Sequence, residues 1–206
     1  MYHSMRRTVI LCFAAMLLFC AATIRAQELT QAEKDKTLAY LESTKAGVLA
    51  SVKGLSPAQL NFKPAPDRWS VAECLEHIAS AEDFLRGLIT EKVMTSPAVP
   101  GRDVKAIDEG ILKGVTDRST KRQAPEPIKP TNRFGSAEAS EKHFVESRVV
   151  TEEFLKNTAD LRDHAMPGPA GPAMDGYEWI LLIAAHSERH TKQIEEVKAD
   201  PNFPKS

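Results

Sequence analysis

From Leu29 onward, apolar residues recur three and four positions apart among abundant Ala, Leu, Glu and Lys, and no stretch alternates long enough to make a convincing strand. That spacing is the period of a helix face, so the chain is expected to be all-α. Its 206 residues suit one domain with a short accessory segment. Hydrophobic residues at 42% and charged residues at 27% disfavour a disordered, collagen-like or multi-span membrane protein. Lys and Arg total 27 against 28 Asp and Glu, so the basic excess of a nucleic-acid binder is missing and no nucleic-acid partner is expected.

The first 26 residues differ from the rest. Arg6 and Arg7 precede an apolar run from Thr8 to Ala22, and Ile24-Arg25-Ala26 ends in the small residue that a signal peptidase favours. Residues 1–26 therefore read as a signal peptide cleaved after Ala26, which predicts a secreted or periplasmic protein with no other membrane segment. The run is short for a transmembrane anchor, and Phe19 before Cys20 disfavours lipidation. Cleavage would remove Cys12 and Cys20 and leave Cys74 alone, so no intramolecular disulfide is expected.

In residues 27–206 the spacing predicts four long helices. Thr30 and Glu33 form a capping-box pair that starts the first, which runs toward Gly54. Ser56-Pro57 begins a short helical turn, and Pro64 and Pro66 then interrupt the chain. Ser70 and Glu73 start the second long helix, with Trp69 over its first turn and an inward stripe of Val71, Leu75, Ile78, Glu82, Leu85 and Ile89. Five prolines break residues 95–135, where Val104 to Val115 is patterned for one modest helix, and this stretch reads as a long crossover. The third long helix is expected from Ser136 to Arg162, with Phe144, Val150, Phe154, Leu155 and Leu161 inward, and the fourth from Asp175 to about Lys198.

His186 and His190 lie one turn apart in the fourth helix, on the stripe that carries Trp179, Ile183, Ile194 and Val197. Two buried imidazoles each need a partner, and a shared metal satisfies both acceptors, whereas the plainer alternative pairs them with backbone or carboxylates. His77 sits at the edge of the second helix's stripe, where it is either a rim residue or a third nitrogen from a neighbouring helix. Glu82 occupies an inward position usual for Leu or Ile. It reads either as a catalytic group that orients a ligand or acts as general base, or as a rim carboxylate paired with Lys or Arg. His143 is a weaker fourth-ligand candidate, His164 suits the end of the third helix, and Cys74 reads as a small buried hydrophobe. Glu188 and Arg189 read as surface residues, with Arg189 within reach of an anionic substrate at the bundle mouth.

The segment from Pro64 through Arg68, Trp69, Ser70, Glu73 and Cys74 to His77, followed by Ala185, His186, Arg189, His190 and Ile194, resembles the DinB-like superfamily. The resemblance spans roughly residues 30–200 and includes the crossover with Asp117-Arg118 and Pro125-Glu126-Pro127. It implies a four-helix bundle of up-down-down-up connectivity, with the crossover between the second and third helices. It also implies a divalent metal held by His77, His186 and His190. The family is similar to bacillithiol S-transferases, mycothiol-dependent maleylpyruvate isomerases and a group described as metal-dependent hydrolases.

Three nitrogens leave a coordination position for water or substrate, as in catalytic rather than closed structural zinc sites. Zinc is the first expectation, and nickel, iron or manganese would also fit imidazole ligands. A signal peptide removes the chain from cytosolic thiol cofactors, which weakens an S-transferase role. The leading expectation is a metal-dependent, hydrolase-like enzyme acting on an unknown small molecule. The competing expectations are a non-catalytic bundle with a structural or captured metal and a helical interaction module without metal. Homodimers through bundle faces would be unsurprising.

Overall fold

The computed structural model describes residues 28–169 and 171–205; the signal peptide expected over residues 1–26 lies outside them. Among the described residues there are six α-helices: α1 (Gln31–Val52), α2 (Pro57–Asn61), α3 (Val71–Glu91), α4 (Val104–Thr116), α5 (Ala137–Asn157) and α6 (Gly176–Lys198). None of them is long and apolar enough to cross a membrane.

The helix starts follow local chemistry. Thr30 with Glu33, Ser56 with Gln59, Ser70 with Glu73 and Asp175 with Glu178 each close a reciprocal capping box, satisfying backbone N–H groups that a helix start leaves free. Asp103 and Ser136 cap α4 and α5 with single bonds to the N–H groups of Ala106 and Ala139.

The expectation of a four-helix bundle is corrected to an all-α bundle of six helices. The reason lies in α6, where every residue from Gly176 to Ala185 is buried. A helix apolar all round cannot leave one side in water. Helices α1 and α3 cover part of it, and α4 packs along another side with Ile107, Ile111, Leu112 and Val115 against the core. The modest helix of the crossover is therefore a member of the core bundle. The short α2 packs on α3.

Two further expectations are corrected beyond α5. That helix ends at Asn157 rather than Arg162, and a two-stranded antiparallel ribbon, β1 (Ala165–Pro167) with β2 (Ala173–Asp175), follows where no strand was expected. Leu161 lies outside the helix with its carbonyl accepting from Gly176 N at 2.8 Å, and Arg162 reaches Glu33 and Asp108 at 2.8 Å and Asp175 at 3.1 Å. These tertiary bonds compete with continued helix. Val150, expected inward, is exposed.

The apolar core falls into two clusters. One includes Leu41, Leu85, Leu155 and Ile183, the other Val48, Ile78, Phe144 and Ile194. Between them on the four long helices lies a buried polar layer of Thr44, Glu82, Arg148, Thr151 and Ser187. Arg148 donates to both Glu82 oxygens at 2.9 and 2.8 Å, to Leu41 O at 2.7 Å, to Thr44 Oγ1 at 3.0 Å and to Ser187 Oγ at 2.8 Å. Thr151 adds a hydroxyl bond to Glu82 at 2.7 Å. Every charge in the layer is matched, as burial requires.

Candidate metal centre

His77 comes from the second turn of α3, and His186 and His190 come from consecutive turns of α6. The contact between these helices brings one nitrogen from each histidine into a group whose members all lie within 4.8 Å of one another. His77 Nε2 is 3.1 Å from His186 Nε2, and the ring centroids are separated by 4.4 to 4.9 Å. His77 and His190 are buried and His186 is partly buried.

Burial holds the His77 imidazole down at about 4, and it holds those of His186 and His190 well below the ordinary histidine range, helped by the mutual repulsion that protonating neighbouring rings would bring and by Arg189 and Arg118. All three rings are neutral at pH 7, the form that binds a metal. The carbonyl of Ile128 lies 2.7 Å from His77 Nδ1 and can only accept, so Nδ1 carries the hydrogen and the Nε2 lone pair faces the cluster. The donor set is three imidazoles without thiolate or carboxylate, which fits a divalent transition metal.

The crossover shapes this centre. Ile128 lies in a 3-10 turn (Glu126–Ile128), and Glu76, one residue before His77, accepts from the backbone N–H groups of Thr131, Asn132 and Arg133 at 2.7, 2.8 and 3.0 Å. From α6, the Arg189 guanidinium donates to the carbonyls of Val115, Asp117 and Thr120. Arg189 is thus a buried clamp on the chain leaving α4, which corrects its expected surface position. Trp69 lies against the site, its ring centroid 4.7 Å from that of His77 and 6.0 Å from that of His190.

The other candidates fall elsewhere. Glu82 is neither at a rim nor in the histidine cluster; its oxygens are committed to Arg148 and Thr151 in the polar layer. His143 bonds to Asp83, which also accepts from Ser147 and Arg86, and stacks on Phe134 with centroids 4.4 Å apart. His164 is past the end of α5 and contacts the Ser96 carbonyl at 2.8 Å, not the last turn of the helix. Cys74 is buried and its thiol is pushed up out of the reactive range, in keeping with a packing role. Two residues near the centre were given no role from the sequence. Gln193, three positions after His190, reaches that ring at 2.9 Å, and the helical spacing was a usable signal. Arg118, noted in the sequence only as part of the crossover's resemblance and with no role given, reaches Gln193 from there.

Fold and site together define an all-helical bundle carrying a three-histidine centre able to hold a divalent metal. Residues 29–194 match the DinB superfamily, and the chain belongs to that superfamily. It is similar to the uncharacterized protein YuaE of Bacillus subtilis strain 168, with 30% identity over 151 residues, covering 71% of this chain and 88% of YuaE. Among solved structures it is similar to YfiT from Bacillus subtilis, with 18% identity, a TM-score of 0.49, and coverage of 87% of this chain and 93% of that one.

Proposed function

We propose that this protein is a metal-dependent enzyme of hydrolase type that acts on a small molecule, with zinc as the metal held by His77, His186 and His190. The observation that carries the reading is the convergence of three neutral imidazole nitrogens within 4.8 Å, with no thiolate or carboxylate in the group. A zinc ion held by His77, His186 and His190 would supply Lewis acidity for polarising a substrate oxygen and activating water. The protein's own part is positional. Ile128 orients His77 so that Nε2 faces the other two rings.

A purely structural metal is disfavoured by the core. Both apolar clusters and the matched polar layer between them hold the helices together without the three histidines. Metal analysis of the untagged protein beside His77→Ala and His186→Ala tests the reading. About one metal per chain in the wild type and none in either folded variant is expected. Hydrolysis of small ester, amide or phosphoester substrates that is lost in both variants would then establish the activity. Absence of metal after reconstitution with zinc, nickel and manganese would overturn it, and unfolding of the metal-free protein would favour a structural ion.

A further inference from the structure

The hydrogen bonds behind His190 determine which of its nitrogens carries the proton. Gln193 Oε1 lies 2.9 Å from His190 Nδ1 and 3.0 Å from Arg118 Nη1. A guanidinium has donors only, so the amide atom facing Arg118 must be the carbonyl oxygen; a flipped amide would set its NH2 against another donor. The same oxygen faces the imidazole, and an oxygen can only accept. Nδ1 of His190 must therefore donate, which leaves Nε2 bare.

Arg118 is itself fixed. Its Nε and Nη2 form a fork on Glu196, at 3.0 Å to Oε1 and 2.7 Å to Oε2, and the fork geometry leaves Nη1 aimed at Gln193. Arg118 sits two residues beyond α4, in the segment that Arg189 clamps through the carbonyls of Val115, Asp117 and Thr120. Gln193 and His190 are both buried, so water competes little for these bonds.

We propose that Arg118 and Gln193 are positioning residues that set the Nδ1–H tautomer of His190, so that the crossover prepares two of the three ligands: His77 through the Ile128 carbonyl and His190 through Arg118 and Gln193. Neither residue touches the face that the nitrogens share. The crossover is thereby part of the metal centre, although it contributes no ligand.

The inference rests on the metal reading above, yet its first test needs no metal. In the metal-free full chain with 15N-labelled histidine, long-range proton–nitrogen correlation spectra assign the tautomer of each ring. Wild type and Gln193→Glu, which keeps an acceptor for both partners, are expected to hold His190 with hydrogen on Nδ1. Gln193→Leu and Arg118→Ala are expected to shift it toward hydrogen on Nε2. Zinc affinity, read by competition with a chromogenic chelator, should fall about ten- to a hundredfold in Gln193→Leu and Arg118→Ala and be rescued in Gln193→Glu. The Gln193→Leu/Arg118→Ala double variant should be no weaker than Gln193→Leu alone, because the two act in series. A wild-type His190 protonated on Nε2, a tautomer unchanged in Gln193→Leu, or equal loss of affinity in Gln193→Leu and Gln193→Glu would overturn the assignment. If the tautomer responds as expected but no form takes up zinc, the metal reading fails and the control of His190 by Arg118 and Gln193 stands.

Discussion

Glu82 and Arg148 form a two-pronged ion pair at the centre of the bundle, with neither side chain reaching solvent. Removing one partner leaves the other as an uncompensated buried charge. Glu82→Ala and Arg148→Ala are each expected to lose about 3–5 kcal/mol of stability in urea unfolding. The Glu82→Leu/Arg148→Met double variant, which leaves no orphan charge between Glu82 and Arg148, should be less destabilised than either. Single-variant losses under about 1 kcal/mol, the size expected of an exposed pair, would refute the role assigned to the layer.

The start of α6 is expected to give stability a pH dependence. Burial, reinforced by the neighbouring Asp175 carboxylate, pushes the Glu178 carboxyl up to about 7, against the opposing pull of Arg102. Between about 4.5 and 7 the folded protein keeps this proton while the unfolded chain has released it. The contribution is thus complete below about 4.5 and is lost as pH rises through 7. Glu178→Gln, which cannot ionise, should gain stability relative to wild type between pH 5 and 8, by an amount of the order of 1–3 kcal/mol. Urea midpoints that run parallel across this range would show that Glu178 does not titrate there.

Glu76 fastens the far end of the crossover through three backbone N–H groups, and these bonds hold its carboxyl below the usual carboxylate range against the effect of burial. Glu76→Ala should expose the amides of Thr131, Asn132 and Arg133 to rapid hydrogen exchange and admit trypsin at Arg133. Retained protection in this variant would place the anchor elsewhere.

Gly176 opens α6 in a space without room for a side chain. A Cβ there would lie 2.9 Å from Leu161 Cδ2, 3.0 Å from Leu161 O and 3.1 Å from Met94 Sδ. Gly176→Ala should cost about 1–3 kcal/mol in thermal or urea unfolding despite alanine's better helix propensity. A stabilised variant would mean that the Leu161 turn yields readily.

What was legible in the sequence was local. Thr30 with Glu33 and Ser70 with Glu73 mark helix starts because a capping box is complete within four residues. The spacing of His186 and His190 puts two nitrogens on one face by helix geometry alone. Features that depend on a distant partner were not legible. Val104–Thr116 has a clear apolar face, but periodicity does not say that α6 needs covering on that side. The expected extension of α5 to Arg162 failed because Leu161 and Arg162 are taken by Gly176, Asp108, Glu33 and Asp175, all remote from that helix in sequence. Glu82 was noticed for its odd position, but its partner Arg148 lies 66 residues away on a helix where an arginine reads as surface.

Trp69 gives the centre a built-in optical reporter. Its indole lies against His77 and His190, and the only other tryptophan in the chain is Trp179, whose buried Nε1 has no hydrogen-bond partner among the described residues, so its replacement by phenylalanine breaks no hydrogen bond. In a Trp179→Phe background, tryptophan emission comes from one ring beside two of the three ligands. Nickel or cobalt entering the site should quench that emission while zinc changes it far less. The same tube would then yield occupancy, exchange rate and metal preference, without label or substrate.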